Sequence, residues 1–72
     1  MKQIRSEMAG TVVEVKISVG DLVDIGQEVA VVESMKMEVP LMSQVKGKIA
    51  SVLKTAGDFL NDGEPIAELA DE

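Results

Sequence analysis

The sequence predicts an all-β fold with short strands and no helix, and three observations support this. Valine and isoleucine dominate the larger apolar residues, and their branched side chains favour strands. Glycine, asparagine and aspartate recur between the apolar segments, where turns are expected. No window shows the i, i+3, i+4 apolar spacing of an amphipathic helix. With 72 residues, the chain is predicted to form a single domain over residues 1–72.

Strands in the first half of the chain are predicted from alternation and from β-branched residues. Residues 3–8 alternate between polar and less polar side chains, and residues 11–17 are rich in valine, threonine and isoleucine. The turn at Gly20-Asp21 leads into a short extended segment at 22–23. After a second turn, residues 28–33 contain an unbroken apolar run, which predicts a strand that is buried on both faces or central in its sheet.

The second half of the chain repeats this order. Residues 37–42 are predicted to form a strand at a sheet edge, or one with a bulge, because Pro40 lacks a backbone donor. Further strands are predicted at 47–53, 59–60 and 65–69, again separated by turns that contain glycine.

The two halves are related by an internal repeat. Glycines and apolar residues recur at one constant offset (from 10 to 47, from 20 to 57, from 26 to 63) without a gap. The repeat predicts that the same positive-φ corners are built twice and that the halves pack about a pseudo-two-fold axis. Lys36 lies where the halves join, so we expect it at one end of the molecule and both chain termini at the other.

Charge and composition argue against several classes of function. The net charge is −6 and the basic residues are scattered, which disfavours nucleic-acid binding because phosphate contacts need clustered cations. Without His or Cys, neither a disulfide nor a Cys/His metal site can form. No apolar run reaches the roughly 20 residues that span a bilayer, and the first residues do not resemble a signal peptide. We therefore expect a soluble, cytoplasmic protein without membrane contacts.

The hexapeptide Glu33-Ser34-Met35-Lys36-Met37-Glu38 departs from the residue preferences of tight turns. Two predicted strands meet there, and a tight hairpin normally uses Asn-Gly or Asp-Gly, which tolerate positive φ. Two thioethers and an ammonium make a poor turn, and segments that violate local preferences are often functional. We expect Lys36 to be exposed, and Met35 and Met37 at least partly so, because the three side chains cannot all point inward.

With this tip, the chain resembles the biotinyl domains of the biotin/lipoyl attachment family. The resemblance covers essentially the whole chain and rests on Met35-Lys36-Met37 within a frame formed by residues 8–12, 19–21, 26–29, 57–58 and 63. It implies a flattened β-barrel, or barrel-sandwich hybrid, of two four-stranded sheets related by pseudo-two-fold symmetry. The ungapped repeat leaves no room for the thumb loop of some biotin carriers, so a thumbless form is expected.

The resemblance implies a carrier rather than an enzyme, with no catalytic residue of its own. A biotin protein ligase would attach biotin to Lys36, and the biotin would move CO2 from a biotin carboxylase to a carboxyltransferase. Met35 and Met37 would offer adaptable apolar contacts to these partners. Glu33 and Glu38 would either keep the tip soluble or have a functional role, which would be recognition by the ligase or fixing of the hairpin register. The sequence leaves both interpretations open.

Two other functions stay open at the level of sequence. A lipoyl carrier has the same fold and would bear lipoate on Lys36, but its tip typically reads Asp-Lys-Ala. An unmodified barrel-sandwich module that serves a structural or interaction role would need no acceptor lysine where the halves join.

Overall fold

The structure, a computed structural model, describes residues 2–70. These residues form eight strands and no helix: β1 (Lys2–Arg5), β2 (Gly10–Val15), β3 (Leu22–Val23), β4 (Glu28–Ser34), β5 (Met37–Met42), β6 (Gly47–Val52), β7 (Phe59–Leu60) and β8 (Pro65–Ala70). The predicted all-β class is confirmed. Residues 2–70 contain no helix with the length and apolar character needed to cross a membrane.

The strands form two four-stranded antiparallel sheets. One sheet has the order β1-β8-β6-β3 and the other has the order β5-β4-β2-β7. The repeat relates β1 to β5, β2 to β6, β3 to β7 and β4 to β8. Exchanging each strand for its counterpart converts one order into the other, which confirms the predicted pseudo-two-fold symmetry. Each sheet takes two strands from each half, so the halves are interleaved rather than stacked. The two sheets make the expected flattened barrel-sandwich, which measures 38 × 19 × 18 Å.

The core consists largely of repeat pairs. Six apolar positions are buried in both copies: Ile4 with Leu41, Val12 with Ile49, Val23 with Leu60, Val29 with Ile66, Ala30 with Ala67, and Val32 with Leu69. The other buried apolar side chain, Ile17, has Lys54 at its repeat position. Leu22 and Phe59 also match, yet they are 76% and 56% exposed, because the outer face of the shortest strands is open. The repeat therefore specifies exposure as well as burial.

Two buried serines, which the sequence analysis did not single out, close equivalent bends after β1 and β5. Ser6 Oγ accepts a hydrogen bond from Met8 N and donates to Met8 O, and Ser43 Oγ does the same with Val45. The two N···Oγ distances are both 3.2 Å. The Ser6 bend is also why β1 ends at Arg5, short of the predicted end at residue 8.

Replacing Ser6 or Ser43 by alanine is expected to lower the free energy of unfolding by about 1 kcal/mol in each case, because a partly buried N–H loses its acceptor. Urea unfolding measures the effect. Ser18→Ala is the control, since Ser18 is exposed and its change should stay within about 0.5 kcal/mol. Clearly different losses at Ser6 and Ser43 would contradict the equivalence of the two bends.

The corners are duplicated as predicted at four glycines. Gly20, Gly26, Gly57 and Gly63 have φ angles from +81° to +98°. Gly10 and Gly47 do not fit that prediction, because both begin strands instead of forming corners. Aspartates complete two of the corners: Asp21 Oδ2 accepts from Ser18 N at 2.8 Å, and Asp58 Oδ2 accepts from Thr55 N at 2.9 Å. The hydrogen bond from the Thr55 N–H lowers the pKa of Asp58.

The hairpin of β4 and β5 places the central residues of the chain at a tip. β4 lies between β2 and β5, and β5 is an edge strand, so the central position of residues 29–32 and the edge position of Pro40 are both confirmed. Pairing continues to Ser34 opposite Met37. The connecting loop is therefore two residues long, Met35 and Lys36.

The tip and the described chain ends lie at opposite poles. β2 begins beside the tip, where Thr11 pairs with Glu33, and β6 begins beside the chain ends, where Lys48 pairs with Ala70. The two strands run towards each other, and their last residues, Val15 and Val52, line the same surface pocket. Lys36 is expected at one end of the molecule and both termini at the other, and Lys2 and Ala70 meet this expectation. The terminal residues themselves lie outside the described range.

Candidate functional site

The tip is a two-residue turn with Met35 and Lys36 at its centre. Their φ angles are +53° and +64°, and no other non-glycine residue between 2 and 70 has a positive φ. Positive φ at both central residues is the type I′ pattern, which suits the twist of the strands but favours Asn and Gly. For other residues this conformation costs roughly 1–2 kcal/mol each. The fold therefore holds Met35 and Lys36 in a conformation that their own preferences oppose.

The side chains of the tip extend into solvent, as predicted. Met35 is 93% exposed and Met37 is 67% exposed, and Lys36 between them is also exposed. Within the part of the chain that the structure describes, no hydrogen bond or ion pair engages the Lys36 ammonium. The turn thus presents a primary amine, flanked by two apolar side chains, to any protein that approaches this pole.

Glu33 and Glu38 face each other across the hairpin just below the tip. They are directly paired in the ladder and both are exposed. Like charges in directly opposite positions destabilise a strand pair, so these carboxylates do not favour this register through attraction. Neither of them forms an ion pair with another residue in the range 2–70. Their effect is to make the surface beside Lys36 acidic.

Two further residues share this face and were missed by the sequence analysis. Thr11 pairs with Glu33 on one side and with Phe59 on the other, so Glu38, Glu33, Thr11 and Phe59 form one row across the sheet. Directly paired residues project from the same face. Phe59 is the one aromatic residue of the chain. No local signal predicts this row, because the β2–β7 pairing joins residues far apart in sequence.

The chemistry available at the tip is that of a primary amine. An amine forms an amide with an activated carboxyl group, and an exposed amine can be reached without any movement of the fold. The described residues contain no group of three or more acidic, His or Cys side chains placed to hold a metal ion. The tip therefore fits a group that is attached through a single covalent bond.

Replacing Met35 by glycine is expected to raise the free energy of unfolding by about 1 kcal/mol, because glycine adopts positive φ without strain. Urea unfolding with Met37→Gly as the matched control measures this. Met37 lies in β5, where glycine should destabilise the strand by up to about 1 kcal/mol. A Met35→Gly variant no more stable than the parent chain would show that the turn is not strained.

Comparison with known proteins decides the family. The model of the family Biotin_lipoyl, described as "Biotin-requiring enzyme", matches residues 2–69. The chain belongs to the biotin/lipoyl family. A biotin/lipoyl attachment protein of Bacillus subtilis is 44% identical over 64 residues, which are 89% of this chain and 88% of that protein. The "Biotinylated protein TB7.3 homolog" of Mycobacterium leprae is 35% identical over 69 residues, covering 96% of this chain and 97% of that one.

A solved structure agrees with this membership. The urea carboxylase of Kluyveromyces lactis superposes with a TM-score of 0.84 and 29% identity over 96% of this chain, but only 6% of that enzyme is covered. The biotin/lipoyl chain described here thus spans nearly the whole length of small attachment proteins and a small part of a large carboxylase. A biotin/lipoyl attachment domain is a carrier and not itself a catalyst.

Proposed function

We propose that the chain is a biotin carrier and that Lys36 is the residue that bears the biotin. The observation that carries the proposal is the position of Lys36 at the centre of an exposed and strained turn. The other lysines of the chain, at 2, 16, 46, 48 and 54, share neither the turn nor the flanking methionines. Membership of the biotin/lipoyl family supports the same assignment.

Attachment requires the neutral amine of Lys36, because only that form is nucleophilic. A biotin protein ligase would hold the amine against the acyl-adenylate of biotin. The nitrogen would form an amide bond at Lys36 Nζ and lose a proton, while the acyl–phosphate bond breaks and AMP leaves. The exposed tip can enter the pocket of a ligase without unfolding, so the positioning is left to the ligase. Once attached, biotin supplies the chemistry of carrying a carboxyl group, and this chain supplies the tether.

Met35 and Met37 would contact the ligase, and later the carboxylase sites, through flexible apolar side chains that adapt to more than one pocket. Glu33 and Glu38 would serve recognition by a basic partner surface, since the repulsion between them gives no benefit to the hairpin. The partners that follow are a biotin protein ligase, a biotin carboxylase and a carboxyltransferase. We propose further that residues 1–72 act as one domain and that the compartment is the cytoplasm.

Lipoate is the second candidate cofactor. The name of the Bacillus subtilis relative includes both groups, and a lipoyl carrier would use the same lysine. The methionines on both sides of Lys36 favour biotin, because a lipoyl tip typically reads Asp-Lys-Ala.

The mass of the chain after co-expression with a biotin protein ligase, and separately with a lipoate ligase, tests the proposal. We expect the increment of one biotinyl group with the first enzyme, located by fragmentation to Lys36. A lipoyl increment alone would reverse the choice of cofactor. No increment with either enzyme would favour the unmodified structural module.

A further inference from the structure

We propose that Met35 and Met37 form a site of reversible sulfoxidation that controls the loading of Lys36; the effect on loading rests on the proposed function. These are the two most exposed methionine side chains in the range 2–70, at 93% and 67%. Met42 is 41% exposed, and Met8 is only partly exposed. Because a thioether must be reached by the oxidant, reaction is expected to begin at the tip.

The composition of the chain also favours oxidation at methionine. The sequence contains no Cys, Trp, Tyr or His, so the thioethers are the side chains most easily oxidised by peroxides. The positive φ of Met35 and the two-residue loop keep this side chain outside the sheet. Access therefore does not depend on local opening of the fold.

The oxidation step is balanced with hydrogen peroxide as the oxidant. The peroxide O–O bond breaks, one oxygen atom is transferred to the methionine sulfur, and the other leaves as water. The sulfur loses two electrons and the peroxide gains them. A methionine sulfoxide reductase reverses the change with a dithiol as reductant, which is oxidised to a disulfide while the oxygen leaves as water.

The sulfoxide changes what a partner protein meets beside Lys36. A flexible apolar side chain becomes a polar, chiral one, and a pocket that accepts a thioether would have to bury the new oxygen without a hydrogen-bond partner. The fold itself should be unaffected, because Met35 and Met37 are not part of the hydrophobic core. We expect the kcat/KM of the ligase for loading to fall by about tenfold or more.

One competition experiment tests this on the full chain. The protein is oxidised with hydrogen peroxide to about one oxygen per molecule, then treated with biotin protein ligase, biotin and ATP for a limited time. Loaded and unloaded fractions are separated on streptavidin, and fragment masses locate the sulfoxides. The proposal expects sulfoxide at Met35 and Met37 to collect in the unloaded fraction, while sulfoxide at Met42 divides evenly. Even division at all three positions, or preferential oxidation of Met8 or Met42, would overturn it.

Two variants and one repair step complete the test. Peroxide should lower the loading rate of Met42→Leu as it lowers that of the parent chain. The loading rate of Met35→Leu/Met37→Leu should be the same before and after peroxide. Methionine sulfoxide reductase should restore loading of the oxidised parent chain. Equal peroxide sensitivity of the double variant, or failure of the reductase to restore loading, would count against the site. If the untreated parent chain is not loaded with biotin, the proposed function fails instead. Whether Met35 and Met37 are oxidised before Met8 and Met42 then still tests the proposed oxidation site.

Discussion

Replacing Lys36 by alanine is expected to abolish biotin attachment completely. The tip holds one amine in solvent, and removing it leaves no nucleophile between Met35 and Met37. The measurement is the intact mass after exposure to biotin protein ligase, with Lys48→Ala as the control. Lys48 is an exposed strand lysine at the opposite pole, so its replacement should leave the mass increment unchanged.

The fold of the Lys36→Ala variant should persist. Lys36 makes no core contact, and alanine at positive φ keeps a strain similar to that of the lysine. We expect the free energy of unfolding to stay within about 0.5 kcal/mol of the parent chain. Loss of the circular dichroism signal would mean that Lys36 is structural. A biotinyl increment that survives in the variant would place the acceptor at another lysine.

The second large effect is expected at Gly10, where an added methyl group has no space. A Cβ there would overlap the carbonyl oxygen of Glu33 and lie 2.7 Å from Val32 Cγ1. The obstacle includes backbone of the neighbouring strand, which cannot rotate away as a side-chain end can. We expect Gly10→Ala to lower the free energy of unfolding by about 3 kcal/mol or more, a large fraction of the total for a domain of this size.

Gly20→Ala separates steric overlap from backbone strain. A Cβ at Gly20 has no neighbour within 4 Å, so the cost there comes from its φ of +96° alone and should be about 1–2 kcal/mol. Urea unfolding of both variants gives the comparison. Similar losses at Gly10 and Gly20 would show that β2 and β4 are not packed as closely as the structure has them.

The repeat is what made most of the fold predictable. A constant offset between matched glycines and apolar residues, together with the resemblance to a known family, implied two equivalent sheets, and local patterns located all eight strands. The end of β1 was misplaced, because alternation continues through Ser6 to Met8 while the chain already bends there. The hydrogen bonds between the buried Ser6 hydroxyl and Met8 close that bend, and no pattern in the sequence indicates them.

The candidate site was predictable for the opposite reason. Met35 and Lys36 stand where the local preference for Asn-Gly is violated, and a violation is visible in one sequence. The roles of Gly10 and Phe59 were not visible in this way. Glycine is required at position 10 because the Glu33 backbone approaches it closely, and Phe59 lies in the row because β7 pairs with β2. Both are contacts between distant parts of the chain.

The exchange of strands between the two halves has a consequence for the origin of this architecture. The first half alone would leave one sheet with a gap of two strands between β1 and β3 and the other sheet without its two edge strands, and an equivalent second half supplies the missing strands by symmetry. This is the geometry expected when the gene of a self-associating peptide duplicates and the copies fuse. In that history Lys36, the proposed acceptor, lies in the linker that turned a homodimer into a single polypeptide.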